Sequence, residues 1–218
     1  QQQMAASAAT WQVLGQQVLM GRMNIPAPIL METIQPGSGV TVSQYAALVA
    51  RARTNPASLT PAEQAILAQP SIPYNLDAWD GYQAARETVL ATSRSLGKNL
   101  VVLSGDTHNA WANELQDRNG NAVGVEFATS SVTSPGFEEY LPNENPATLA
   151  GALQQLIAPL KYCDTSRRGY MVLTATASEC RADWVYVNTI TSRNYTASTD
   201  KSLKVVAGAA GVGRIVAA

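Results

Sequence analysis

Charge is scarce in this chain. Only 14% of its 218 residues are charged, against roughly a quarter in most soluble domains, while 46% are hydrophobic. Its 15 basic and 16 acidic residues leave a net charge of −1 and are mixed along the chain, with no basic stripe or Arg-rich segment. The electrostatic footprint of a nucleic-acid binder is missing, so no nucleic acid is expected as a structural partner. No apolar run reaches the roughly 18–20 residues that span a bilayer, and no transmembrane segment is expected. The opening Gln1-Gln2-Gln3-Met4 reads as the trimmed end of a longer polypeptide, without a signal peptide of its own.

Cysteine is equally sparse. Cys163 and Cys180 are the only two, and neither lies in a Cys-x-x-Cys pair, which argues against a zinc knuckle. The segment between them can reverse and bring them together. A disulfide in an oxidising compartment and two separate buried thiols are both open on the sequence. Asn194-Tyr195-Thr196 matches a glycosylation sequon, a triplet common by chance.

Histidine is rarer still. His108 is the only one, and it sits in the run Leu100-Val101-Val102-Leu103-Ser104-Gly105-Asp106-Thr107-His108-Asn109. The Val/Leu run reads as a buried strand that Ser-Gly terminates. Asp106 and His108 then lie on the loop at its carboxyl end, where function collects in layered α/β proteins. A carboxylate and an imidazole two residues apart are a metal-ligand pair in the making, although two ligands do not complete a site.

The remaining pattern predicts a layered α/β unit without internal repeats or linkers. Trp11 to Met20 suits a mostly buried strand. Ser43 to Arg53 is helical, and Thr60-Pro61-Ala62-Glu63 is a capping box that starts a helix running to about Gln69. These two helices read as a rim over a site. Asp80 is placed as the cap of a third helix that Gly97 closes, just before the Asp-x-His strand. Ala110 to Gln116 and Ala122 to Ala128 form a hairpin around Asn119-Gly120. Asn145-Pro146 opens a helix to about Leu156, and Gly169 to Ala177 pairs with Ala182 to Ile190. The tail from Ala207 to Ala218 reads as an edge segment.

Five pieces in this order, WQVLGQQVLM, AWDGY, VVLSGDTHNAW, EFATSSVTSPGF and DTSRRGYMVL, resemble the carboxyl-terminal half of the PhoD-type alkaline phosphatases, a branch of the calcineurin-like metallophosphoesterases. The resemblance runs from about Thr10 to the last strands. It implies an α/β fold, the carboxyl-terminal half of a four-layer αββα sandwich. It also implies hydrolysis of phosphate mono- and diesters at an iron–calcium centre, outside the cytoplasm in a secreted or periplasmic protein. Asp106 and His108 would be metal ligands and catalytic residues, with Thr107 and Asn109 shaping the loop. The family's other ligands come from the amino-terminal half, which has no match here. The chain is thus expected to bind that half as a second polypeptide, or another copy of itself, because half of the fold leaves sheet edges and apolar surface open. The alternatives are a non-catalytic structural or binding subunit without a complete metal site, and a hydrolase of another ester class.

Other residues read more plainly. Trp79, Asp80 and Tyr82 suit a helix cap with aromatic packing better than a pocket. Arg22 reads as a surface residue, and Arg167 and Arg168 as ion-pair partners of Asp164. Ser130, Ser131 and Ser134 lie outside any Gly-x-Ser-x-Gly elbow, which argues against a serine hydrolase.

Overall fold

The computed structural model describes residues 1–209, 211 and 213–218. A short helix α1 (Gln2–Ala6) leads to strand β1 (Trp11–Gly15). Strand β2 (Asn24–Pro26) runs directly into α2 (Ala27–Ile34), followed by α3 (Val42–Thr54), α4 (Pro61–Leu67) and β3 (Ser71–Pro73). Helix α5 (Gln83–Ser95) precedes β4 (Asn99–Ser104), β5 (Ala110–Gln116) and β6 (Ala122–Ala128). Helices α6 (Phe137–Tyr140) and α7 (Pro146–Leu156) come before β7 (Leu160–Asp164), and β8 (Gly169–Ala175), β9 (Glu179–Val187), β10 (Ala197–Val206) and β11 (Val216–Ala217) close the chain. No helix among the described residues is long and apolar enough to cross a membrane.

Nine of the eleven strands described make two facing sheets, and β2 with β3 forms a separate antiparallel pair. The first is mixed, in the order β1-β4-β6-β5-β7, and the second is antiparallel, in the order β11-β10-β9-β8. β1, β4 and β6 run parallel, whereas β5 is antiparallel to both its neighbours. Val101, Val125 and Phe127 of the mixed sheet meet Ala182, Trp184 and Val205 of the other in one buried core. Trp184 fixes the spacing: its ring stands edge-on to Phe127, and its indole N–H donates to the Ala128 carbonyl at 2.9 Å, so the polar end of a buried aromatic is satisfied. The opposite face of the mixed sheet is covered by helices. Leu90 of α5 lies over Leu100, Val102 and Leu115, while Leu149 and Leu153 of α7 pack with Trp111 and Cys163. β4 is therefore buried on both faces, the reason it reads as a continuous apolar run rather than an alternating one.

The described residues build three layers, helices on a mixed sheet on an antiparallel sheet. The outer face of the second sheet is turned to solvent and is largely polar. Arg181 there bonds Asp183 at 2.8 Å and Ser202 at 3.2 Å, and Lys204 pairs with Glu179 at 3.0 Å; Tyr170 and Val172 are the exposed apolar residues on β8. β1 is an edge strand paired only with β4, and Val13 on it is exposed.

Local signals hold where capping chemistry sets them. Thr60 and Glu63 form the reciprocal capping box at α4, and Thr41 with Gln44 makes a second at α3. Gly97 adopts φ +60°, while the Gly97 and Lys98 N–H groups reach the Arg94 and Ser93 carbonyls at 3.1 and 3.0 Å, closing α5 in a Schellman motif. The turn before β6 is held by the Asp117 carboxylate, which accepts from the Asn119 and Asn121 backbone N–H groups at 2.9 Å each.

Three expectations need correction, and one open question closes. The strand from Trp11 stops at Gly15 rather than Met20, because the Met20 and Gly21 N–H groups bond the Glu126 side chain instead of a neighbouring strand. Asp80 does not cap α5: the position before the helix is Tyr82, without a side-chain cap, and Asp80 turns inward to accept from the Met23 N–H at 2.9 Å. Of the two readings open for the cysteines, separate buried thiols is the one observed: Cys163 on β7 and Cys180 on β9 of the other sheet are free and buried, in cores on opposite sides of the mixed sheet. Burial pushes their thiols up to about 12 and about 11. Arg167 pairs with Asp164 at 2.6 Å and with Asp200 at 2.7 Å, but Arg168 pairs with Glu138.

Two of these carboxylates make stability acid-sensitive. A hydrogen bond from Arg167 holds Asp200 below its ordinary range, and the Thr60 N–H, followed by Arg51, does the same for Glu63. A pKa depressed in the folded state adds stability above the unfolded value, which is lost as pH falls through the folded one. The urea midpoint should therefore drop as pH falls below about 4. Asp200→Asn should lower the midpoint at neutral pH, and the gap to the parent protein should narrow as pH falls and the Asp200 carboxylate takes up its proton. A constant gap between the two proteins across that range contradicts the assignment.

Candidate metal-ligand loop and its cavity

The site begins where β4 ends. Asp106 and His108 have φ of +66° and +61°, the only non-glycine residues with positive φ among those described. Side chains disfavour this region by roughly 1–2 kcal/mol each, and it persists only where the surroundings enforce it. Here they do. The Thr107 N–H closes a three-residue turn onto the Gly105 carbonyl at 2.7 Å. Asn109, buried, donates to the Thr107 carbonyl at 2.7 Å and accepts from the Phe137 N–H at 3.1 Å. The Trp111 indole N–H donates to Thr107 Oγ1 at 2.7 Å. The sheet, the loop and the segment before α6 are thereby tied together.

His108 Nδ1 lies 2.8 Å from the Pro135 carbonyl. A carbonyl only accepts, so Nδ1 carries the proton and the Nε2 lone pair is left for another partner. That tautomer, fixed by a backbone carbonyl behind the ring, is how proteins present a ligating imidazole. Asp106 is exposed and close enough to Tyr74 that, after burial, its charge helps push the phenol up to about 12. Asp106, His108 and Tyr74 all line one cavity of ≈ 630 Å³.

The segment facing His108 is itself braced. The Gly136 N–H bonds the Glu138 carboxylate at 3.1 and 3.2 Å, and Arg168 grips the same carboxylate from β8's approach. A Cβ on Gly136 would fall 2.3 Å from Asn109 Oδ1. Gly136→Ala must push Asn109 off the Phe137 N–H and move Pro135 away from His108. It should cost about 1–3 kcal/mol in urea unfolding and shift the single imidazole signal in NMR. An unchanged His108 resonance would sink this role for the glycine.

Farther back, Glu126 is fully buried and accepts from Met20 N at 2.6 Å, Gly21 N at 2.9 Å, Ser104 Oγ at 3.0 Å and Asn113 Nδ2 at 3.0 Å. Burial raises its pKa and those donors oppose the rise. Ser104 is the last residue of β4, so this carboxylate anchors the strand that carries the loop.

Asp106 and His108 are thus brought to one wall, as the sequence suggests, while the others go elsewhere. Trp79 donates to Gln16 Oε1 at 3.0 Å and shares a separate surface hollow with Tyr82. Arg22 pairs with Glu87 at 3.2 Å. Ser130 Oγ is buried without a partner and Ser131 Oγ donates to the Ser134 carbonyl, so neither hydroxyl bonds His108. Asn109 shapes the loop as the resemblance implies, whereas Tyr74, Gly136 and Glu138 escaped the sequence reading, because nothing local in their segments marks contact with a loop about 30 residues away. The donor types at Asp106 and His108 fit a metal, with Nε2 free. Among the described residues, however, no cluster of three or more His, Cys, Asp or Glu side chains could hold one, and two donors fall short of the three or four that fix a metal.

Comparison with known proteins places the chain. It matches the family described as PhoD-like phosphatase over residues 1–184 and belongs to that family. It is similar to alkaline phosphatase D of Bacillus subtilis (strain 168), 31% identical over 136 residues, which span 59% of this chain and 22% of that protein. A solved structure of PhoD aligns with 100% of the chain and 34% of its own, with a TM-score of 0.63 and 21% identity, a likeness of fold. The chain therefore spans between about a fifth and a third of the relatives it matches.

Proposed function

We propose that this chain is the carboxyl-terminal half of a four-layer αββα metallophosphoesterase and hydrolyses phosphate mono- or diesters once the amino-terminal half is supplied as a second chain. The observation that carries the reading is His108, its Nδ1 committed to Pro135 and its Nε2 free, on a braced loop beside Asp106. Asp106 and His108 would contribute to the metal centre, where iron and calcium, when bound, supply positive charge that draws and polarises a phosphoryl group. The chain's own part is positional. Thr107 and Asn109 hold the loop shape, Pro135 sets the imidazole tautomer, and Glu138 with Arg168 fixes the segment that carries Pro135. The setting proposed is outside the cytoplasm, secreted or periplasmic. Pairing with a second copy of the chain is the alternative assembly.

The test is hydrolysis of a phosphodiester by the chain combined with its amino-terminal half, in the presence of iron and calcium. Turnover supports the reading. Absence of turnover on every mono- and diester tried leaves the non-catalytic subunit, which the lack of a third ligand among the described residues favours. Turnover of another ester class alone would support that rival instead.

A further inference from the structure

The cavity beside Asp106 and His108 has a mostly apolar lining. Its walls are hydrocarbon and aromatic, with Ile25, Ile29, Leu149, Leu153, Tyr74 and Phe137 among the lining residues. Asp106 is the only formally charged side chain on it, and neither Lys nor Arg contributes among the described residues. At ≈ 630 Å³ it lies within the size range of small-molecule sites, roughly 300–1,000 Å³.

The charge pattern separates what can occupy it. An anionic or sugar-like group would lose its water for few partners, since among the described residues Thr33, Asn75 and Thr107 are the only uncharged polar residues on the lining apart from His108 and the tyrosines. A stretch of polypeptide backbone fares no better, because its N–H and C=O groups need hydrogen bonds that these walls do not offer. A hydrocarbon chain loses nothing and gains the transfer free energy of each buried methylene. One wall of the same cavity is the Asp106–His108 loop, so an occupant with a polar head and an apolar arm would have its head at the proposed metal centre.

We propose that this cavity is the binding site for the apolar arm of the substrate, making the preferred substrate a phosphoester of a long alkyl alcohol. The proposal rests on the phosphoesterase reading for the head group only. The binding of the arm stands on the cavity itself.

Neutral 1-alkanols test it without any metal. Calorimetric titration of the 218-residue chain with 1-butanol and 1-octanol should give an affinity rising on the order of a hundredfold over the four added methylenes. Because the chain has one histidine, the His108 ring gives a single set of NMR signals, and octanol should shift it. Ile34 and Ile72 are 81% and 41% exposed on the cavity's rim, so Ile34→Gln with Ile72→Gln should leave folding intact and cut the octanol-to-butanol ratio at least tenfold. The same titration is then run on the chain combined with its amino-terminal half, together with hydrolysis of methyl and octyl 4-nitrophenyl phosphate.

A chain-length gradient that persists in the combined protein, weakens in the double variant and carries over as octyl preference supports the proposal. Equal affinity for both alkanols, a gradient untouched by the variant, or loss of binding when the amino-terminal half fills the cavity overturns it. If alkanols bind as described but no ester is hydrolysed, the phosphoesterase reading fails and the substrate assignment falls with it, while the apolar site remains. If both esters are hydrolysed at equal rates, the substrate assignment fails alone.

Discussion

His108→Ala should abolish iron binding by the combined two-part protein and lower phosphodiester turnover at least a hundredfold, with the fold unchanged. The side chain is half-buried and makes one polar contact, Nδ1 to Pro135 at 2.8 Å, so its removal costs little packing. What it removes is the single imidazole of the chain, presented with Nε2 free. Asp106→Asn is the companion variant: it keeps the shape of the exposed loop and removes the charge, and should weaken metal binding without changing the urea midpoint. Retained iron and retained turnover in both variants would leave the loop without the chemistry proposed for it. Loss of turnover with metal still bound would move His108 from metal ligand to another role.

The second large effect is on stability. Glu126→Ala should destabilise the chain by about 3 kcal/mol or more, since a buried donor left without its acceptor costs about 1–3 kcal/mol. Four donors lose their acceptor at once: Met20 N, Gly21 N, Ser104 Oγ and Asn113 Nδ2. Two are backbone groups of the segment that leaves the sheet after β1, and they have no strand to return to. Glu126→Gln is nearly isosteric but points an amide donor at neighbours that donate, so it should recover only part of the loss. Urea unfolding of both variants measures this. A change below about 0.5 kcal/mol in Glu126→Ala would mean that the loop holding Leu19 and Met20 has another anchor.

Glu126 also shows where sequence reading stops. A Glu inside the run Val123-Gly124-Val125-Glu126-Phe127 looks like an outward-facing position on a strand. It is buried because three separated segments, around Met20, Ser104 and Asn113, aim donors at it, and no local pattern encodes that meeting. The same limit explains Asp80, which has the position of a helix cap and the environment of a core residue. Strand β7 hides for another reason: Leu160-Lys161-Tyr162-Cys163-Asp164 is short and follows a helix closely. What was legible depended on local chemistry. The capping box at Thr60, the left-handed Gly97, the Asn119-Gly120 turn and the apolar run of β4 each carry their own physical cause within a few residues. The candidate site was half legible. Asp106 and His108 stand out as residue types at a strand end, whereas Pro135, Gly136, Glu138 and Arg168, which hold the imidazole in place, come from segments whose proximity only the folded sheet creates.

Native mass spectrometry of the chain, alone and combined with its amino-terminal half, with elemental analysis of each particle, tests the central claim most directly. The chain alone should carry no iron or calcium, and the combined particle should contain one copy of each half with both metals bound. A chain that stays monomeric and metal-free beside an amino-terminal half that loads iron and calcium by itself would contradict the assignment of Asp106 and His108 to the metal centre.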